Sequence, residues 1–163
     1  MNKNLFSELA IQNTTSSDEL NGQLSPQLQS WFALLGGFTY IERDLRQALR
    51  EGHNCSLPRF DILTAMMADR EGLSMSVLAE KMCVTKGAIT GVVKSLMEQG
   101  LVTREVLNTD KRVQVVRITK PGECLWQEMF KTYALIVENN LSQLSATEVA
   151  TITRLLRSVQ PAD

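Results

Sequence analysis

The sequence predicts a mainly α-helical fold carrying one small β-hairpin, and three observations lead there. Apolar residues recur at threes and fours through most of residues 26–160, the spacing of amphipathic helices. Two short stretches, Leu101–Val106 and Val113–Ile118, are instead rich in β-branched residues and flank a polar tip, as paired strands do. Between them and the first helices, residues 74–99 hold two helical segments separated by only a few residues.

Residues 1–24 are rich in Asn, Ser, Thr and Gln around a small apolar cluster at Leu5, Phe6, Leu9 and Ile11. They are expected to form a short helix or flexible arm and then a linker, either packed on a partner subunit or disordered. From Pro26 to about Glu51, Leu28, Trp31, Phe32, Leu35, Phe38, Ile41, Leu45 and Leu49 mark a long amphipathic helix, with Ser25 as its N-cap. Gly36-Gly37 within it costs about 1 kcal/mol per glycine relative to alanine and predicts a kink or a close helix–helix approach. The aromatic face is wider than one small neighbour covers, which suggests a subunit interface. Gly52-His53-Asn54 is expected to break this helix.

A second helix is expected from Pro58 to about Arg70, ended by Gly72. Ser74 then caps Met75–Met82, and Thr85 caps Lys86–Gln99, each by offering its hydroxyl to an unpaired N–H of the first turn. Gly100 stops that helix in a left-handed conformation. After the hairpin Thr119 caps a long helix through Trp126, Phe130 and Tyr133, and Pro121 is tolerated in its first turn. Ser145-Ala146-Thr147-Glu148 is a capping box that opens the last helix. The organisation predicted is an arm (1–24), a first long helix (25–56), a helix–helix–hairpin unit (57–119) and two C-terminal helices (120–163).

Composition narrows the function. The 163 residues contain no run near the ~18–20 apolar residues of a membrane span, and the N-terminus has no basic-then-apolar leader, so a cytoplasmic location is expected. Three cysteines without a CxxC spacing and a single histidine supply neither a disulfide framework nor a structural zinc site. His53 with Cys55 is a weak metal pair. No Ser/His/Asp set, carboxylate motif or phosphate loop is present, so no enzyme and no cofactor is expected. The net charge of −1 is unevenly divided: residues 81–120 carry eight basic and three acidic side chains, net +5, while both flanking regions are acidic. Concentrated positive charge on a reading element is what phosphate binding requires.

The paired helices fit a helix-turn-helix. Ala79 is small where the helices cross, and Leu78, Met82, Val84, Ile89, Val92 and Leu96 are placed to knit the pair to the domain. Cys83 stands in the turn, where a glycine with positive φ is common. Either the turn takes another geometry or Cys83 carries strain. We read Cys83 as a small buried hydrophobe, the alternative being a thiol whose oxidation would disturb binding. Lysines at the start of the second helix suit phosphate or guanine, and an arginine at the hairpin tip suits a narrow minor groove. Gly87 and Gly91 weaken that helix but allow close backbone approach to a duplex.

The stretch VLAEKMCVTKGAITGVVKSLMEQGLVTR and the following DKRVQVVRITKPG resemble the MarR family of bacterial transcriptional regulators, whose wing carries an Asp-x-Arg…Leu-Thr-x-x-Gly signature. Ile118 stands for the usual leucine. The resemblance implies a winged helix-turn-helix plus a helical dimerisation region, acting as a homodimer on double-stranded DNA at a pseudo-palindromic operator, most often as a repressor. By position it implies that Thr85, Lys86, Gly87, Thr90 and Lys94 face DNA, with Arg112 in the minor groove. Asp110 would orient Arg112, or be an ordinary turn residue, while Arg104 and Lys111 would touch phosphates. It further implies a small aromatic or phenolic anion as effector, held among Trp31, Phe38, Phe60, Trp126, Phe130 and Tyr133 with Arg43 or Arg59 as its partner. The same aromatics could equally be core or dimer interface. Two alternatives stay open: a regulator without a ligand, and a winged helix that binds an acidic protein.

Overall fold

A computed structural model describes residues 24–106 and 114–159. The expected arm (1–24) therefore lies outside the described residues except for Leu24. So does the wing loop with Asp110, Lys111 and Arg112.

Among the described residues, six helices and a three-stranded sheet follow in the order α1 (Pro26–His53), α2 (Leu57–Ala68), β1 (Leu73–Ser74), α3 (Met75–Lys81), α4 (Lys86–Glu98), β2 (Val102–Val106), β3 (Gln114–Ile118), α5 (Lys120–Asn140) and α6 (Ala146–Ser158). The caps sit where the sequence places them. Ser25, Ser74, Thr85, Thr119 and Ser145 each accept a first-turn N–H, and Ser145 with Glu148 completes the capping box.

Several boundaries differ from expectation. Helix α1 runs on through Gly52 and His53 and stops at Asn54, which takes the left-handed conformation at φ 48°. The glycine pair does not interrupt α1, and a Cβ at Gly37 would meet nothing within 4 Å among the described residues. Helix α2 ends at Ala68, capped by Asp69, before Gly72 is reached. The hairpin is not alone: β1, expected only as a cap, pairs with β3 (Leu73↔Val116, Ser74↔Val115), giving the antiparallel order β1-β3-β2. Two residues are too short for a period-2 pattern to register, and the pairing is long-range.

One core joins α2, the α3–α4 pair and the sheet to α1 and α5. Leu49 from the end of α1, Ile62, Leu63 and Met66 from α2, Leu78, Leu96, Val116 and Met129 from mid-α5 are almost fully buried. Truncating such a side chain to alanine costs about 2–5 kcal/mol. Leaving the core, the first half of α1 exposes Leu28, Trp31, Leu34 and Phe38, while α6 buries nothing and exposes Val149, Ile152, Leu155, Leu156 and Val159.

Candidate nucleic-acid interface

Helices α3 and α4 meet at Ala79, which is buried, as a close crossing requires. Helix α4 turns Ile89, Val93 and Leu96 into the core. Val93 was not among the expected knitting residues, although its spacing from Ile89 and Leu96 would have shown it. Val84, expected to knit, is 46% exposed on the rim because it lies in the turn ahead of α4.

The turn settles the alternative posed by Cys83. Its φ is +52°, its N–H reaches Glu80 O at 3.0 Å, and Val84 N–H reaches Ala79 O at 3.0 Å. This is the paired-bond ending in which a left-handed residue follows the helix. Cys83 therefore adopts the conformation glycine would take, and it is exposed, not buried. We expect Cys83→Gly to raise unfolding free energy by about 0.5–1 kcal/mol, the left-handed penalty less glycine's larger entropy loss. Urea denaturation checks this, and an unchanged or lower midpoint would show that the thiol makes compensating contacts.

The face of α4 opposite the core carries the residues singled out in sequence. Thr85, Lys86, Gly87, Thr90 and Lys94 are all exposed. Lys86, Thr90 and Lys94 lie four apart and form one stripe, about 12 Å long at 1.5 Å per residue. Thr85 Oγ1 accepts from Ala88 N at 3.3 Å, and Thr90 Oγ1 donates to Lys86 O at 2.7 Å. The uncompensated N–H groups of the first turn add partial positive charge beside Lys86, suiting an anionic partner. Lys94 is held only loosely, 3.9 Å from Glu98. Nothing lies within 4 Å of a Cβ on Gly91, so that side of α4 is open to close approach. Arg104 is exposed on β2.

Not every cation of the +5 segment is available. Arg117 lies 3.1 Å from Glu105 and 3.8 Å from Glu71, and donates to Arg70 O at 3.0 Å. Lys120 and Arg70 both pair with Glu123. Hydrogen bonding from Lys120, with Arg70 close by, holds the Glu123 carboxyl below its usual range. These ions tie the hairpin root to the α2–β1 loop and to the start of α5. Sequence reasoning missed that role, for which the opposite charges on the two hairpin strands were the signal.

The six aromatics do not form one set. Phe60 stacks on Tyr133 (centroids 5.1 Å), Tyr133 faces Phe130 (6.4 Å), and Phe130 stacks on Trp126 (5.0 Å), whose Nε1 donates to Thr64 Oγ1 at 2.9 Å. Phe60 is buried core and Phe130 half-exposed. Among the described residues, Trp31 and Phe38 stand apart from the other four on the exposed half of α1. Arg43 is occupied by Asp44 and the Tyr40 ring, and Arg59 by Gln99. His53 Nε2 is 2.8 Å from Thr132 Oγ1, while Cys55 is buried. Among the described residues no cluster of three His, Cys, Asp or Glu could hold a metal, and no helix is long and apolar enough to cross a membrane.

A capped helix pair, an exposed lysine-bearing stripe and an adjoining three-stranded sheet define a winged helix-turn-helix protein. A family profile described as MarR family matches residues 56–113. The HTH-type transcriptional regulator MhqR of Bacillus subtilis is 33% identical over 82 residues, 50% of this chain and 57% of that protein. The chain thus spans little more than half of that relative's length. Among solved structures, a MarR variant from E. coli complexed with operator DNA is 23% identical with a TM-score of 0.70, covering 89% of this chain and 100% of that one. CouR from Rhodococcus jostii RHA1 bound to p-coumaroyl-CoA is 19% identical with a TM-score of 0.69, covering 90% and 97%. Residues 56–113 thus resemble the MarR family, and the fold is that of the winged helix-turn-helix proteins.

Proposed function

We propose that this protein is a sequence-specific, non-enzymatic DNA-binding transcriptional regulator, a repressor that acts as a homodimer on a pseudo-palindromic operator and is released by a small ligand. The observation that carries the reading is the exposed Lys86–Thr90–Lys94 stripe on a helix whose other side is core. The apolar surfaces of α1 and α6 support the dimer, because a chain that exposes Trp31, Phe38, Ile152 and Leu155 gains by burying them against a copy of itself. In this division α1, α5 and α6 join the subunits and residues 57–119 read DNA. Two α4 helices related by a two-fold axis would enter major grooves one turn apart, ~34–36 Å. Arg112, with Asp110 and Lys111, would follow the minor groove from the wing, and Arg104 would contact phosphate. The operator-bound E. coli relative and the regulator MhqR support the same use of the fold.

Selection of bound sequences from random duplexes tests this directly. On the selected operator, Lys86→Ala and Arg112→Ala should each weaken binding about 10- to 100-fold, and each should flatten the salt dependence by about one counterion. Retention of full affinity by both variants would sink the assignment. A protein that selects no sequence but captures acidic polypeptides would instead be an interaction module.

A further inference from the structure

A cavity of about 350 Å³ lies between α2 and the helix-turn-helix. Its walls are apolar: Ile62 from α2, Met82 and Val84 from the turn region, and Ile89 and Val92 from α4, with Pro58 at the edge. One charged side chain lines it, Asp61. The size falls within the range of small-ligand sites, and so does the pattern of apolar walls with one placed polar group.

Asp61 is half-buried, and no hydrogen bond or ion pair engages its carboxylate among the described residues. Arg46, the cation that acts on it, is itself ion-paired to Glu42 at 2.7 Å. Burial pushes the Asp61 carboxyl up, Arg46 opposes the shift and Glu42 reinforces it. Tyr133 and Cys55, the other titratable groups under its influence, are both pushed up by burial and bring no positive charge. A carboxylate in such a site lacks the counter-charge that would make its burial cheap. An anionic ligand would add a second negative charge beside it, and the lining offers no cation to receive one.

We propose that this cavity is a binding site for a small lipophilic cation, an aromatic amine or quaternary ammonium compound, with Asp61 as its counter-ion. The ring fills the space between Ile62, Met82 and Val92, and the cationic head lies against the carboxylate. Because Ile89 and Val92 belong to α4, an occupant wedges the recognition helix against α2 and shifts the stripe on its far side. This last consequence rests on the DNA-binding reading, whereas occupancy of the cavity does not.

Binding is therefore measured first without DNA, by calorimetry on the full chain with benzyltrimethylammonium, the neutral isostere neopentylbenzene and salicylate. The cation should bind at least tenfold more tightly than either other compound. Asp61→Asn should abolish that preference, and Ala88→Phe, which puts a ring on the α4 wall that Ala88 lines while keeping the carboxylate, should block all three. A cation preference that survives Asp61→Asn, equal or tighter salicylate binding, or no cation binding at millimolar concentration would overturn the proposal. Should either variant fail to fold, nuclear magnetic resonance of the unmodified chain decides: perturbations confined to Ile62, Ile89 and Val92 support the site, and perturbations elsewhere refute it. Operator release by the cation is then scored separately, so loss of the DNA-binding reading leaves the binding result standing.

Discussion

Replacing Gly122 by alanine is expected to destabilise the fold by about 3 kcal/mol, the upper end of overpacking costs, and to lower Tm by roughly 10 °C at fixed protein concentration. Gly122 is buried in the first turn of α5 against the backbone that follows α4. A Cβ there would overlap the Leu101 carbonyl oxygen and sit 2.8 Å from Ile118 Cγ1. Neither group can retreat cheaply. The Leu101 carbonyl already accepts from Thr119 N at 3.0 Å, and Leu101 N donates to Leu96 O at 3.0 Å in the ending that also places Gly100 at φ +68°. Thr119 Oγ1 donates to Gly100 O at 2.7 Å while accepting from Gly122 N at 3.2 Å. The end of α4 and the start of α5 are thus sewn together at one point, where a side chain has no room. Thermal and urea denaturation check the prediction, and a variant within about 0.5 kcal/mol of the parent chain would show that the two segments part easily.

On the proposed dimer, the double substitution Ile152→Asp and Leu155→Asp is expected to leave a monomer at micromolar concentration, with subunit affinity falling at least 100-fold. Both side chains lie on the exposed apolar surface of α6, 41% and 50% accessible in the single chain, and α6 contributes nothing to the core. Burying two carboxylates at an interface without partners is costly, whereas leaving them in water on a monomer is not. Helix content should therefore persist, and operator affinity should drop because two half-sites are no longer read by one molecule. Sedimentation and circular dichroism separate the outcomes. A variant that remains dimeric would remove α6 from the subunit contact.

Much of this architecture was readable from residues in order. The caps at Ser25, Ser74, Thr85, Thr119 and Ser145, Gly100 and the capping box with Glu148 are local devices whose partners lie within a few positions. Helical periodicity is local as well, and it put Leu49, Ile62, Leu63, Leu78 and Leu96 inside. The Lys86–Thr90–Lys94 stripe follows from the same arithmetic, since residues four apart share a face.

Other features needed the folded chain because their partners are distant in sequence. Strand β1 exists only because Leu73 and Ser74 meet Val116 and Val115, more than forty residues on. Arg117 counted as a basic residue of the reading segment until Glu71, Glu105 and the Arg70 carbonyl were seen around it. The grouping of Phe60, Trp126, Phe130 and Tyr133 without Trp31 and Phe38 likewise depends on which helices touch. Asp61 had no motif to mark it, since an unpaired carboxylate is recognised only by what surrounds it.

The sequence by itself determined that this chain is a winged helix-turn-helix whose second helix exposes lysines, because turns, caps and amphipathic faces are written over spans of a few residues. Tertiary structure decided the rest: which cations remain available, why the Thr119-x-x-Gly122 corner tolerates no side chain, and where a lone carboxylate meets an apolar cavity. Those features are set by the approach of segments tens of residues apart, which no local spacing encodes.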